Sequence, residues 1–100
     1  MTSKQRVYLK SLAVKLDTIF QIGKGGITDE LCYQLLNALN ARELIKIKTL
    51  ETSPVTPREA GEEIAQKIQA EVVQVIGTKI VLYRVSDNEK NRKIDISKIR

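Results

Sequence analysis

Phe20-Gln-Ile-Gly-Lys-Gly-Gly-Ile-Thr-Asp-Glu-Leu31 sets three glycines and one lysine between two apolar runs. On its N-terminal side, Thr18-Ile-Phe-Gln-Ile22 is β-branched and aromatic, short, and halted by glycine, which is the pattern of a strand. On its C-terminal side, Thr28 suits a helix N-cap. Asp29 and Glu30 then fall in the first turn, where carboxylates complement the helix dipole, and Ile27 with Cys32 can form a hydrophobic staple. Cys32, Leu35, Leu36 and Leu39 continue as a buried stripe at helical spacing. Gly23–Gly26 is therefore a strand-to-helix junction, and the rest of the chain arranges itself around it.

Before the junction, Thr2-Ser-Lys-Gln5 fits a capping box, and Leu9, Leu12, Ala13 and Leu16 share one helical face, so the spacing predicts an amphipathic helix from about Ser3 to Leu16. Lys4, Tyr8, Ser11 and Lys15 flank its apolar stripe on one side, Arg6 and Lys10 on the other. After the second helix, Glu43-Leu-Ile-Lys-Ile-Lys-Thr-Leu50 alternates, with Ile45 and Ile47 on one face and Lys46 and Lys48 on the other: a half-buried strand. Thr52-Ser-Pro-Val-Thr-Pro57 is a loop. Thr56-Pro-Arg-Glu59 closes it with a second capping box and proline at the first helical position, and Ala60, Ile64, Ala65 and Ile68 define a third helix. Val72–Ile76 and Lys79–Val85 are strands joined by Gly77-Thr78, a tight hairpin with glycine at its first central position. The order helix, strand, helix, strand, helix, strand, strand predicts an α/β domain with a small mixed four-stranded sheet over residues 1–85. Residues 86–100 are polar and basic; Ile94, Ile96 and Ile99 suit a short docked segment, and the composition equally suits a disordered tail.

One hundred residues make one domain. Seventeen Lys and Arg against twelve Asp and Glu leave a net charge of +5, which favours a polyanionic partner. The chain has no histidine and a single cysteine, Cys32, which removes the commonest general base, the commonest metal ligand, every Ser-His or Cys-His nucleophile pair and any intrachain disulfide. Cys32 reads as a small core residue. No cofactor or metal set is indicated, and no two carboxylates lie in an apolar setting that would tune one as an acid. An enzyme is the least favoured class. No apolar run approaches the roughly 20 residues that span a bilayer, and no secretory apolar region opens the chain, so a cytoplasmic protein is expected.

Three phosphate-binding patterns compete for Gly23-Lys-Gly-Gly26. The dinucleotide fingerprint requires a small residue where Thr28 stands and an acidic residue after a further strand; the nucleotide P-loop requires Ser or Thr after its lysine, where Gly25 stands. What fits is G-x-x-G, the spacing of loops that clamp a nucleic-acid backbone without reading bases. Missing Cβ atoms let sugar and phosphate approach the main chain, and Lys24 adds a mobile charge. A sharp turn that needs a positive φ would account for the same glycines. Asp29 and Glu30 would repel a phosphate at the helix end, so the contact is expected over Gly23, Lys24 and Gly25. Lys4, Arg6, Lys10, Lys15 and Lys24 are opposed only by Asp17 in the first 26 residues, whereas both later helical segments are acidic on balance.

The blocks Ser3-Lys-Gln-Arg6, Ile19-Phe-Gln-Ile-Gly-Lys-Gly-Gly-Ile-Thr28, Glu43-Leu-Ile-Lys-Ile-Lys48 and Val73-Gln-Val-Ile-Gly-Thr-Lys-Ile-Val-Leu-Tyr-Arg84 together resemble the CRM domain, in particular the short YhbY-like proteins of bacteria. The resemblance runs from Thr2 to about Val85. It implies a four-stranded mixed sheet with three helices, similar to the C-terminal domain of bacterial translation initiation factor three with an added N-terminal helix. It further implies RNA binding through Gly23–Gly26 and association with the precursor of the large ribosomal subunit; related plant domains occur in group II intron splicing factors. Gln69-Ala-Glu71 lacks the glycine that often ends the third helix in such proteins, and Thr78 stands where relatives often carry a basic residue.

The expected function is therefore that of a non-catalytic RNA-binding protein that assists assembly of the large ribosomal subunit, with ribosomal RNA as partner. Gly23, Lys24, Gly25 and Gly26 would grip the backbone, Arg6, Lys10 and Lys15 would extend the electrostatic footprint, and Lys46, Lys48, Lys79 and Arg84 are weaker candidates. The alternative is a module that docks on a ribosomal protein through the acidic third helix, with Glu59, Glu62 and Glu63.

Overall fold

The structure is a computed structural model in which residues 1–99 are described. Helix α1 (Ser3–Ala13) is followed by β1 (Thr18–Ile22), α2 (Asp29–Arg42), β2 (Leu44–Thr49), α3 (Pro57–Ile68), β3 (Glu71–Ile76), β4 (Lys79–Tyr83) and a short 3-10 turn, η1 (Glu89–Asn91). All three helices begin where their caps predict. Thr2 and Thr56 each form a complete capping box, with Gln5 and Glu59, and the Thr28 hydroxyl accepts from Leu31 N. Helix α1 ends earlier than its apolar spacing suggested, because Leu16 N turns back to Ala13 O and redirects the chain into β1.

The strands form one sheet in the order β1-β2-β4-β3, with β1 parallel to β2 and the other two pairings antiparallel. It follows that β2 and β3 run parallel and the Gly77 hairpin inserts β4 between them. Gly77 holds the positive φ, 58°, that this hairpin requires. The carboxyl ends of β1, β2 and β3 thus share one end of the sheet, where Leu50 N donates to Ile22 O and Thr49 N to Thr78 O.

Both faces of the sheet are covered, to different extents. Ile45, Ile47, Ile80 and Leu82 point to the face occupied by α2 and α3, where they bury Leu35, Leu39, Ala60 and Ile64. Cys32 lies in this cluster, and burial raises its thiol pKa, as befits a core residue. Leu44, Val73, Val81 and Tyr83 point to the opposite face and pack against Leu9 and Ala13 of α1 and against Ile94 and Ile96 of the C-terminal segment. That segment is anchored at the end of α2. The Glu43 carboxylate accepts from Ser86 N, Lys93 N and Ile94 N at 2.9, 2.7 and 3.1 Å, and Gln5 Nε2 donates to Ile96 O and Ile99 O.

Among the described residues two non-glycine residues adopt positive φ, each closing a helix: Glu43 (66°) after α2 and Gln69 (55°) after α3. Gln69 takes the left-handed position usually held by glycine, and its N–H donates to Ala65 O, so the turn into β3 forms without one.

Candidate nucleic-acid interface

The Gly23–Gly26 loop projects from the carboxyl end of β1. Gly26 N donates to Gly23 O at 3.0 Å, closing a turn with Lys24 and Gly25 at its tip. The glycines differ in what the fold asks of them. A Cβ on Gly23 would lie in ordinary contact with Leu50 and Thr52. Gly26 has φ +67°, and its Cβ would stand 3.1 Å from Pro54 Cγ, so both backbone and packing demand glycine there. Gly25 has no positive φ, and a Cβ on it would meet nothing within 4 Å. Neither the backbone nor the interior requires a glycine at that position. The exposed Lys24 beside it makes no hydrogen bond or ion pair among the described residues.

Below the loop, strand register assembles a row of side chains. Val81 packs toward α1, and Lys46 stands directly opposite it, so Lys46 shares that face. Two residues along each strand, Lys48 faces Lys79 across the β2–β4 pair; Gln21 neighbours Lys48 from β1, and Ile76 neighbours Lys79 from β3. Gln21, Lys48, Lys79 and Ile76 thus cross all four strands at the loop-bearing end of the sheet, on the face that α1 covers only further down. Gln21, Lys79 and Ile76 are exposed and Lys48 half-exposed. Directly opposed side chains lie about 5 Å apart at Cβ, and like charges so placed repel. Among the described residues no carboxylate pairs with Lys46, Lys48 or Lys79.

Helix α1 borders this surface. Arg6 donates to the carbonyls of Val72 and Val73 beside the β3 bulge, so its guanidinium blunts a sheet edge and fastens the helix there. Lys10, one turn on, lines a cleft along the same edge with Arg58 and Glu62. At the other end of α1, Lys15 and Lys46 line a recess with Asp17 and Arg42. Arg84 is placed elsewhere. It follows Tyr83 and so points to the α2/α3 side, donates to Ile68 O and Asn40 Oδ1, and pairs with Asp87 at 3.2 Å. Its role there is to tie the ends of α2 and α3 to β4.

The sequence-predicted cations Lys24, Lys46, Lys48, Lys79 and Lys10 are thus distributed over one side of the sheet and its glycine loop, with Lys15 at the margin. Gln21 also belongs to this side, and Arg58, from α3, reaches its margin in the β3-edge cleft that Lys10 lines. Alternation with Phe20 and Ile22 already turned Gln21 outward, but only strand pairing places it beside Lys48. In α3, Glu59 is engaged in its capping box and Glu63 pairs with Lys67 at 3.4 Å, which leaves Glu62 as the uncommitted acid of the three.

The chain resembles known proteins over nearly its whole length. It is 38% identical over 96 residues to "Probable RNA-binding protein YqeI" of Bacillus subtilis, covering 96% of this chain and 98% of the relative. It is 36% identical over 90 residues to a Haemophilus influenzae protein named "RNA-binding protein", covering 90% and 91%. The solution structure of SAV1595 from Staphylococcus aureus superposes with a TM-score of 0.76 at 42% identity, covering 95% of this chain and 99% of that one. The family model of the CRS1 / YhbY (CRM) domain matches residues 1–84. A glycine loop at the end of β1, a mixed four-stranded sheet and a family match over residues 1–84 agree: this chain belongs to the CRS1/YhbY (CRM) domain family.

Proposed function

We propose that this protein binds RNA without catalysing a reaction on it, and that it assists assembly of the large ribosomal subunit in the cytoplasm. The sugar-phosphate backbone lies over Lys24 and Gly25 and continues across Lys48, Lys79 and Lys46, with Lys10 and Lys15 at the flanks. The observation that carries this reading is Gly25. It is a glycine that the fold itself does not need, placed at the tip of a loop beside a lysine, and above a row of further lysines, that form no ion pair among the described residues. Close approach of a ligand backbone supplies the missing reason for it. The names of the relatives support RNA as that ligand.

Phosphate contacts carry little base information, so binding should be strongly salt-dependent and weakly sequence-dependent. The test compares wild type with Lys24→Glu on a structured fragment of large-subunit ribosomal RNA. The variant should bind more weakly and with a shallower salt dependence; equal affinity would remove the loop from the interface. In cells, crosslinking followed by sequencing of the attached RNA should recover precursor large-subunit RNA, and its absence from the recovered pool would refute the assembly role.

A further inference from the structure

The chain contains four aromatic residues and neither histidine nor tryptophan. The structure places none of the four in the row formed by Gln21, Lys48 and Lys79. Phe20 packs into the α2/α3 core cluster. Tyr83 is buried beneath α1 and the C-terminal segment. Tyr33 is exposed on α2, across the sheet from the lysine row. Tyr8 is exposed on the flank of α1 opposite Arg6 and Lys10, by helical spacing about the buried Leu9 and Ala13, the flank that leads to Lys15 at the margin and not to the lysine row. Guanidinium planes can also stack on bases, but Arg6 is held by the carbonyls of Val72 and Val73, and Arg84 by Ile68 O on the far face. Arg58 and Arg42 line recesses at opposite margins of the surface, Arg58 with Lys10 and Arg42 with Lys15 and Lys46, outside the row of Gln21, Lys48 and Lys79.

Modules that hold single-stranded RNA by its splayed bases cover the exposed apolar faces with stacking platforms, each stacked base being worth roughly tenfold or more in affinity, whereas a G-x-x-G loop grips backbone alone and leaves the bases to one another or to other surfaces. This surface offers ammonium groups at Lys24, Lys46, Lys48 and Lys79, bare backbone at Gly25, an amide at Gln21 that can both donate and accept, and at its β3 edge the aliphatic side chain of Ile76 in place of an aromatic ring. Those groups match a ligand whose bases are already stacked on one another and whose outer surface is phosphate and 2′-hydroxyl. We infer that the preferred ligand of this face is helical, A-form RNA, with Lys48 and Lys79 on phosphates and Gln21 on a 2′-hydroxyl. The inference rests on the proposed RNA-binding function and specifies its substrate class.

Fluorescence anisotropy on the full chain at one salt concentration tests it with three labelled probes of about 16 residues per strand: a mixed-sequence RNA duplex, an oligouridylate single strand, and a DNA duplex of the same sequence as the RNA. The RNA duplex should bind about tenfold or more tighter than oligouridylate, and Gln21→Ala should narrow the gap between RNA and DNA duplexes while retaining affinity for DNA. Oligouridylate binding as tightly as the RNA duplex would overturn the inference and leave the RNA-binding function standing. Failure to bind any of the three would overturn both. A Gln21→Ala variant with the RNA-to-DNA ratio of wild type would remove that residue from the hydroxyl contact.

Discussion

Lys48 and Lys79 stand directly opposite each other on β2 and β4, on the open part of the sheet, and among the described residues neither forms an ion pair. Opposed like charges destabilise a sheet by about 0.2–1 kcal/mol, so replacing either lysine by alanine should leave the melting temperature unchanged or slightly raised. Binding should respond in the other direction. Each substitution is expected to weaken RNA affinity and to flatten the log–log salt dependence by about 0.7–0.9. A lysine that can be removed without changing the slope does not touch phosphate.

Gly25 and Gly26 should separate function from folding. Alanine at Gly26 must accept φ +67° and crowd Pro54, at a cost of about 1–2 kcal/mol, which for a domain of this size lowers the melting temperature by about 5–10 °C. Alanine at Gly25 meets nothing in the protein and should alter stability by less than about 0.5 kcal/mol, yet weaken RNA binding by about 1.5 kcal/mol through lost close contact with the backbone. Unimpaired binding by Gly25→Ala would remove the reason offered for that glycine.

Glu43 couples the C-terminal segment to the body. Burial by itself raises its carboxyl pKa; the N–H groups of Ser86, Ile94 and Lys93, together with Arg92, outweigh it, and the net result lies below the ordinary 4.5. A folded-state pKa depressed in this way contributes stability that is complete above the unfolded value and is lost as pH falls through the folded one. The amides of Ser86, Lys93 and Ile94 should therefore stay protected from hydrogen exchange near neutrality and lose protection below about pH 4.5. Glu43→Gln cannot accept on both sides and should release the segment at neutral pH, at a cost of about 1–3 kcal/mol.

The Tyr83 hydroxyl is buried without a hydrogen-bond partner among the described residues. Burial, with Glu43 and Asp95 nearby, holds its pKa above the ordinary 10.0, so the group stays neutral. Removing an unsatisfied buried hydroxyl while keeping the ring should be neutral or stabilising by up to about 1 kcal/mol. Thermal unfolding of Tyr83→Phe measures this, and a clear loss of stability would show that the hydroxyl is satisfied in solution.

Local signals in the chain were enough for every helix and strand. Thr2, Thr28 and Thr56 mark the helix starts because caps act within one turn, the alternation of Ile45 to Lys48 marks a strand because side chains alternate across a pleat, and Gly77 marks a hairpin because few residues tolerate its φ. Glu43 was legible only as the start of that strand. Its work as the anchor of residues 86–94 depends on partners more than 40 positions away.

The same division holds for the site. The glycine loop and the excess of lysine are properties of sequence alone, since glycine spacing and charge can be counted. Which lysines lie together was decided by tertiary structure. Strand order β1-β2-β4-β3 brings Gln21, Lys48 and Lys79 into one row, while the partners that occupy Arg84 on the other face, Ile68 O and Asn40 Oδ1, come from α3 and α2. Register between strands is a non-local property: it depends on how buried side chains from distant segments interdigitate, and no window of neighbouring residues contains that information.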